Sequence, residues 1–494
     1  MTILFSRRAF LAGLGASAAS PAIANAPATS LFPNPKPGDY AKKSLPSVEA
    51  LAAEAGLGGK IGFMVADALS GEVLEVHNPV LPLPPASVAK AITGAYALSV
   101  FGGTHRFQTR LMATGPVQNG VIQGDLILVG GADPTLDTDA LSQMAKDLRA
   151  KGVTGITGKF HVNGSYLPYQ RVIDPGQPDH LGYNPSISGL NLNFNRVHFE
   201  WKREGQGWNV AMDARSETLR PAVKVARMQV VDRKSPIFTY KDAAGVDSWT
   251  VAQGALGKGG SRWLPVRRPD IYAGEVFQVL ARGQGVKLPR PLTQDGAANG
   301  DVLVTHSSMP VAEIVKGMLK YSTNLTAEVV GMAASVEAGG APADLAGSAA
   351  MMSNWAKDAV GTRRLSFADH SGLSDQSIVT ARDMVKALIS LSPDGELAPL
   401  LKNIQPNSDL LLDGGSHSIR AKTGTLNFVS ALAGYVTTPN GRELAFAIFT
   451  ADMERRGAIQ KAFRERPQGA RGWSRRSRGL QHDLIARWSV LFEA

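Results

Sequence analysis

The sequence predicts an α+β protein in which one discontinuous domain, helices flanking an antiparallel sheet, is interrupted by a strand-rich insertion. Three observations predict it. The chain opens with a helix, a hairpin and a second helix. From about Arg106 to Gly300 the texture changes to short strands among frequent Gly and Pro. From Val302 helical periodicity returns, and the chain ends in three consecutive strands and a helix. The expected division is residues 40–105 and 301–494 for the discontinuous domain and 106–300 for the insertion.

Taken in order, the chain begins with Ser6-Arg7-Arg8-Ala9-Phe10-Leu11, a twin-arginine pattern, followed by a weakly apolar run and small residues at Ala22-Ile23-Ala24 and Ala24-Asn25-Ala26. Residues 1–26 therefore read as a bacterial Tat-type signal peptide, which places the mature protein in the periplasm. Residues 28–46, rich in Pro, Ser and Lys, read as a linker. Beyond the signal no uninterrupted apolar run reaches the ~18 residues of a membrane span, so no transmembrane segment is expected after signal removal.

Val48 to Leu57 is a short helix stopped by Gly58-Gly59, and Ile61–Ala66 and Glu72–Val76 are strands joined at Ser70-Gly71. Pro84-Pro85 then admits only the start of a helix, so Ser87 stands near a helix N-terminus. In the insertion, Leu126–Val129 is a buried strand, Leu141–Lys151 a helix, and Lys159–Val162, Ala222–Val231 and Phe238–Tyr240 are strands. Further on, Val311–Leu319, Leu325–Ala338 and Leu345–Ala359 are helices. Ile419–Thr423, Ser430–Thr437 and Leu444–Thr450 are strands, with Asn440-Gly441 marking a hairpin. Leu480–Leu491 is an amphipathic helix.

The chain has 494 residues and no cysteine, which excludes disulfides, iron–sulfur clusters and thiolate zinc sites. Its nine histidines form no His-Glu-x-x-His, and no metal or cofactor is expected. The formal charge is +10. Much of the excess sits near the end, around Arg471-Gly472-Trp473-Ser474-Arg475-Arg476-Ser477-Arg478. The simplest reading of that run is a solvated, partly disordered loop. The alternative is contact with an anionic envelope surface, and nucleic acid is not expected as a partner.

The chemistry lies in three motifs. Ser87-Val88-Ala89-Lys90 puts a lysine amine one helical turn from a serine hydroxyl, where a helix N-terminus also offers N–H groups to a developing oxyanion. Ser322-Thr323-Asn324 precedes a helix, and Lys422-Thr423-Gly424-Thr425 ends a strand. Each motif occurs once, in the order found in penicillin-recognising serine enzymes. Alone, Ser-x-x-Lys is a weak signal; three motifs in order are a strong one.

Ser87 and Ser322 are 235 residues apart (322 − 87), much farther than in class A β-lactamases. With this spacing the chain resembles the D-alanyl-D-alanine carboxypeptidase/endopeptidase family of low-molecular-mass penicillin-binding proteins, the penicillin-binding protein 4 type of peptidase family S13. Pro85-Ala86-Ser87, Gly124-Asp125-Leu126, Asp133-Pro134-Thr135-Leu136, Asn191-Leu192-Asn193, Asp369-His370-Ser371-Gly372-Leu373-Ser374, Ala421 to Leu426 and Ala433-Gly434-Tyr435-Val436 carry the resemblance. Thr323 departs from it at a variable position, and the basic stretch after Arg455 matches less well.

The resemblance implies a serine transpeptidase/β-lactamase-like fold and an acyl-enzyme mechanism on peptidoglycan peptide stems, with β-lactam antibiotics as covalent inhibitors. Ser87 would be the nucleophile and Lys90 its base, which requires a neutral amine and so a pKa well below ~10.4. Ser322 would relay a proton and Asn324 would orient Lys90. Lys422, Thr423, Gly424 and Thr425 would line the substrate site, the lysine and Thr423 holding its carboxylate and the Ser87 and Thr425 N–H groups forming the oxyanion hole. A Ser/His/Asp triad through Asp369 and His370 is not expected, since Lys90 already supplies a base. The competing readings are a β-lactamase or esterase on the same fold and a non-catalytic peptidoglycan-binding protein.

Overall fold

The computed structural model describes residues 45–410 and 417–493. The expected signal peptide and nearly all of the linker lie outside the described residues. The chain from Pro46 onward forms one compact unit.

Its centre is a six-stranded antiparallel sheet. The strand order is Lys402–Ile404, Ser418–Leu426, Val429–Thr437, Glu443–Ala451, Lys60–Asp67, Val73–His77. Side chains alternate across a strand, and here the two faces differ in size. Along Glu443–Ala451, Leu444, Phe446 and Ile448 point one way, into a core with Trp473, Leu484 and Trp488 of the C-terminal helix. Ala445, Ala447 and Phe449 point the other way, into the core built by the helices that carry the motifs. Ala445 and Ala447 on that face let those helices approach closely. Each large side chain buried this way contributes roughly 1.5–3 kcal/mol.

The helix Ala89–Phe101 is the middle of the motif-bearing core. Every residue from Ala89 to Leu98 is buried, so solvent reaches this helix only near its C-terminal end. It packs between the helices Val311–Tyr321 and Asn324–Glu337. Lys90 is the only residue in it that is charged at neutral pH, and it is fully buried.

The intervening stretch has its own hydrophobic core, centred on Leu111, Phe160, Trp249 and Phe277. A five-stranded mixed sheet ordered Pro291–Thr293, Phe160–Asn163, Leu126–Val129, Gln108–Ala113, Asp301–Ser307 carries two helices, Thr138–Ala150 and Pro269–Gly283. Two three-stranded sheets follow from Arg196 to Pro265. Because Asp301–Ser307 pairs with Gln108–Ala113, we propose that the insertion ends at Ser307 rather than Gly300.

The basic run near the C-terminus is helical. The last helix spans Ala470–Leu491, starting well before the expected Leu480, so the expected loop is replaced by two to three helical turns. Trp473, Ser477, Leu480 and Leu484 are buried along one stripe, while Arg471, Arg475 and Arg478 are exposed. Close-set like charges and two glycines hid that period in the sequence. The helix Ala381–Leu391 was also not read from the sequence.

Candidate active site

Ser87 sits in a 3-10 turn, Ala86–Val88, that leads directly into the helix Ala89–Phe101. Ala86 has φ 46°, an uncommon left-handed conformation for a residue with a side chain, held in place by its packed surroundings. One turn on, the Lys90 ammonium position is surrounded by three oxygens: Ser87 Oγ at 2.9 Å, Asn324 Oδ1 at 2.8 Å and the Ser371 carbonyl at 2.7 Å. An ammonium would donate to all three. A neutral amine donates to the amide and carbonyl oxygens, and its lone pair then points at the Ser87 hydroxyl.

Ser322 caps the helix Val311–Tyr321 in the left-handed conformation, φ 59°, and this turn aims its hydroxyl across to the sheet. Lys422 Nζ donates to Ser322 Oγ (3.0 Å) and to the Thr423 carbonyl (2.8 Å). Thr423 and Thr425 alternate with buried Lys422 and Gly424 along Ser418–Leu426. Gly424 has a steric reason to be glycine: a Cβ there would lie 2.6 Å from the Pro85 carbonyl and 3.1 Å from the Ser87 nitrogen. The strand therefore runs against the backbone that carries Ser87. Thus the structure brings Ser87, Lys90 and Asn324 into one hydrogen-bonded group, sets Ser322 and Lys422 together beside it, and lines the same cleft with Ser87, Ser322, Asn324 and Thr425.

Electrostatics distinguish the two lysines. Burial lowers the Lys90 pKa, while the Glu328 and Asp369 carboxylates pull it back up. Among the described residues no carboxylate does the same for Lys422. Burial, then the charge of Lys90, then Lys402, push it down to about 6.

Glu328 is a feature of the site that motif reading missed, and it acts through the 369–377 loop, whose Asp369-to-Ser374 segment carried the family resemblance. Glu328 is fully buried and accepts the backbone N–H groups of His370 (2.8 Å) and Ser371 (3.0 Å), one on each oxygen. It thereby holds the carbonyl that receives Lys90. Asp369 accepts from Gly372 N, Ser374 N and Ser377 Oγ. Gly372 has φ 70°, and a Cβ would meet the Ala86 carbonyl at 1.9 Å, so the loop is pressed onto the Ser87 turn. A buried Glu one helical turn after Ser-x-Asn was the available sequence signal. His370 faces away from Ser87: its Nε2 pairs with Ser348 Oγ at 2.8 Å, and burial pushes its pKa down to about 3. The inserted stretch reaches the site through the Tyr183 carbonyl, which accepts from Asn324 Nδ2 at 2.9 Å.

Among the described residues, one group could in principle hold a metal, His198, Glu200 and Asp213, on neighbouring strands of the insertion. The Arg215 guanidinium bridges Glu200 and Asp213 and already supplies their counter-charge, so the cluster reads as an ion pair.

A family model described as the D-Ala-D-Ala carboxypeptidase 3 (S13) family matches residues 45–467. The chain belongs to this family. The chain is 29% identical over 440 residues to a D-alanyl-D-alanine carboxypeptidase from an Actinomadura species, covering 81% of this chain and 79% of that protein. It is 24% identical over 425 residues to the D-alanyl-D-alanine carboxypeptidase DacB of Haemophilus influenzae, covering 80% and 87%. The fold matches the crystal structure of penicillin binding protein 4 from Haemophilus influenzae with TM-score 0.71 at 21% identity, over 89% of this chain and 99% of that one. An S13 member is a serine peptidase, and the fold is that of the Haemophilus penicillin binding protein 4.

Proposed function

We propose that the protein removes the terminal D-alanine from peptidoglycan stems through an acyl-Ser87 intermediate. The observation that carries this reading is the set of three oxygens around Lys90 Nζ, which leaves a neutral amine one lone pair directed at Ser87. Ser87 Oγ attacks the penultimate D-alanine carbonyl as Lys90 takes its proton. The Ser87 and Thr425 N–H groups receive the oxyanion, each such donor being worth roughly 3–4 kcal/mol. Ser322 passes a proton to the leaving D-alanine nitrogen. Lys422 and Thr423 hold the terminal carboxylate, and water then releases the acyl group. Incubation with purified muropeptides should release D-alanine from pentapeptide stems, read by mass spectrometry. Faster turnover of a chromogenic cephalosporin than of any stem peptide would instead make this a β-lactamase.

The two lysines compete for a proton in the empty site, and the carboxylates beside Lys90 favour that residue. An arriving substrate carboxylate raises the Lys422 pKa from about 6, so Lys422 takes up a proton on binding at pH values between its free and its bound pKa. Calorimetry in two buffers of different ionisation enthalpy measures this, with a penicillin binding noncovalently to the Ser87→Ala protein. Net uptake approaching about one proton at pH 8 is expected. A Ser87→Ala/Lys422→Arg protein should show none, because arginine is always charged.

Export runs through the Tat route, supported by Arg7-Arg8 and Phe10-Leu11; among the described residues no helix is long and apolar enough to cross a membrane. Arg7→Lys/Arg8→Lys should leave the precursor in the cytoplasm. Normal periplasmic yield of that variant would sink the assignment.

A further inference from the structure

The cleft that holds Ser87, about 870 Å³, extends well past the acylation centre. Its far wall is arginine-rich, with Arg456, Arg464, Arg466, Arg471 and Arg478. Two charges in that wall are already matched. Arg456 is buried and paired with Asp375 at 2.7 Å. Glu465 is held by His180 and Arg262, which keep its carboxyl at about 2. Arg464, Arg466, Arg471 and Arg478 make no ion pair among the described residues.

Helix position does not account for Arg471. Arg471 stands in the first turn of the helix Ala470–Leu491, which has no acidic residue there and no side-chain cap. The helix dipole disfavours a cation at that end and favours an anion. Converging like charges also repel each other. An anion in the cleft relieves both penalties, and guanidinium forks match a carboxylate in a bidentate fashion. The family model stops at residue 467, so Arg471 and Arg478 lie beyond the matched residues.

We propose that Arg464, Arg466, Arg471 and Arg478 form a subsite for a second carboxylate of the substrate peptide, distinct from the terminal carboxylate held at Lys422. The inference rests on the peptidase reading above. A stem peptide is favoured over an anionic membrane because these arginines line the same concavity as Ser87, where the occupant must share space with the scissile bond.

The test compares two synthetic pentapeptides ending in D-Ala-D-Ala, identical except that the γ-linked glutamate carries a free carboxylate in one and a carboxamide in the other. The wild-type protein is expected to favour the acid in kcat/KM by about 10-fold, which corresponds to about 1.4 kcal/mol, with the preference shrinking as salt screens it. In Arg466→Ala/Arg471→Ala/Arg478→Ala the ratio should fall to about one, and in Arg471→Glu it should drop below one. A wild-type ratio near one, or a ratio that survives the triple substitution, overturns the subsite. So does loss of binding to phosphatidylglycerol vesicles in the triple variant with the peptide ratio intact, which would assign the arginines to a membrane. Penicillin labelling of wild type and D-alanine release from the amidated peptide report on the peptidase reading separately, since neither depends on the second carboxylate.

Discussion

Ser87→Ala is expected to abolish covalent labelling by a fluorescent penicillin, and Lys90→Arg to slow labelling by roughly 10²–10⁴-fold, the usual worth of a general base. The strained amide and carboxylate of a β-lactam resemble terminal D-Ala-D-Ala, so penicillin reports the same attack. Ser87 is the only hydroxyl on Lys90 Nζ among the described residues; its other partners are the Asn324 amide oxygen and the Ser371 carbonyl. Arginine keeps a cation at position 90 but cannot give up its proton. Lys422→Arg should be much milder, about 10-fold, because its role needs charge and donors. Both lysines are buried, so thermal unfolding of each variant must accompany the rates. If a folded Lys90→Arg protein loses no more than Lys422→Arg, Lys90 acts only as a charge and the base lies elsewhere.

Glu328→Gln should both destabilise the protein and move its pH dependence. The carboxylate satisfies two buried N–H groups, of His370 and Ser371. A carboxamide has one oxygen, so one N–H loses its acceptor and meets an NH₂ group, at roughly 1–3 kcal/mol. The electrostatic effect has a definite sign. Glu328 raises the Lys90 pKa, and acylation needs the neutral amine. Burial, then Asp369, push the Glu328 carboxyl itself up to about 8, so removing its charge lowers the Lys90 pKa wherever Glu328 is ionised, and there the rising limb of labelling rate against pH shifts to lower pH. Destabilisation with an unmoved limb would mean that Glu328 only holds the loop. Glu328→Ala, with neither oxygen, should be less stable than the glutamine variant, which separates the hydrogen bonds from the charge.

The motifs were legible because each is a local device. Ser87 and Lys90 share a helix face, Asn324 opens the helix Asn324–Glu337, and Lys422-Thr423-Gly424 lies in a strand whose alternation is readable from three consecutive segments. The strand pairing around Asn440-Gly441 follows from turn chemistry in the same way. Several elements of the insertion were harder to read, since short strands such as Gly207–Asp213 and Gly259–Pro265 owe their pairing to distant partners rather than to their own pattern. The arginine run misled for a related reason. Its charge suggested solvent, while the helix there is stabilised by Trp473, whose indole donates to the Leu57 carbonyl at 2.7 Å, a partner far away in the chain.

By itself, then, the sequence determined which groups can do chemistry, their order, and the local elements that present them, because those depend on neighbours within a turn or two. Tertiary structure alone decided how the two lysines differ. Lys90 and Lys422 have the same intrinsic proton affinity, and only the fold buries both and sets Glu328 and Asp369 beside one, while among the described residues no carboxylate raises the pKa of the other. It also decided that His370 turns toward Ser348 and that Gly424 touches the Ser87 turn. Burial and charge proximity are sums over residues far apart in the chain, and no local pattern encodes them.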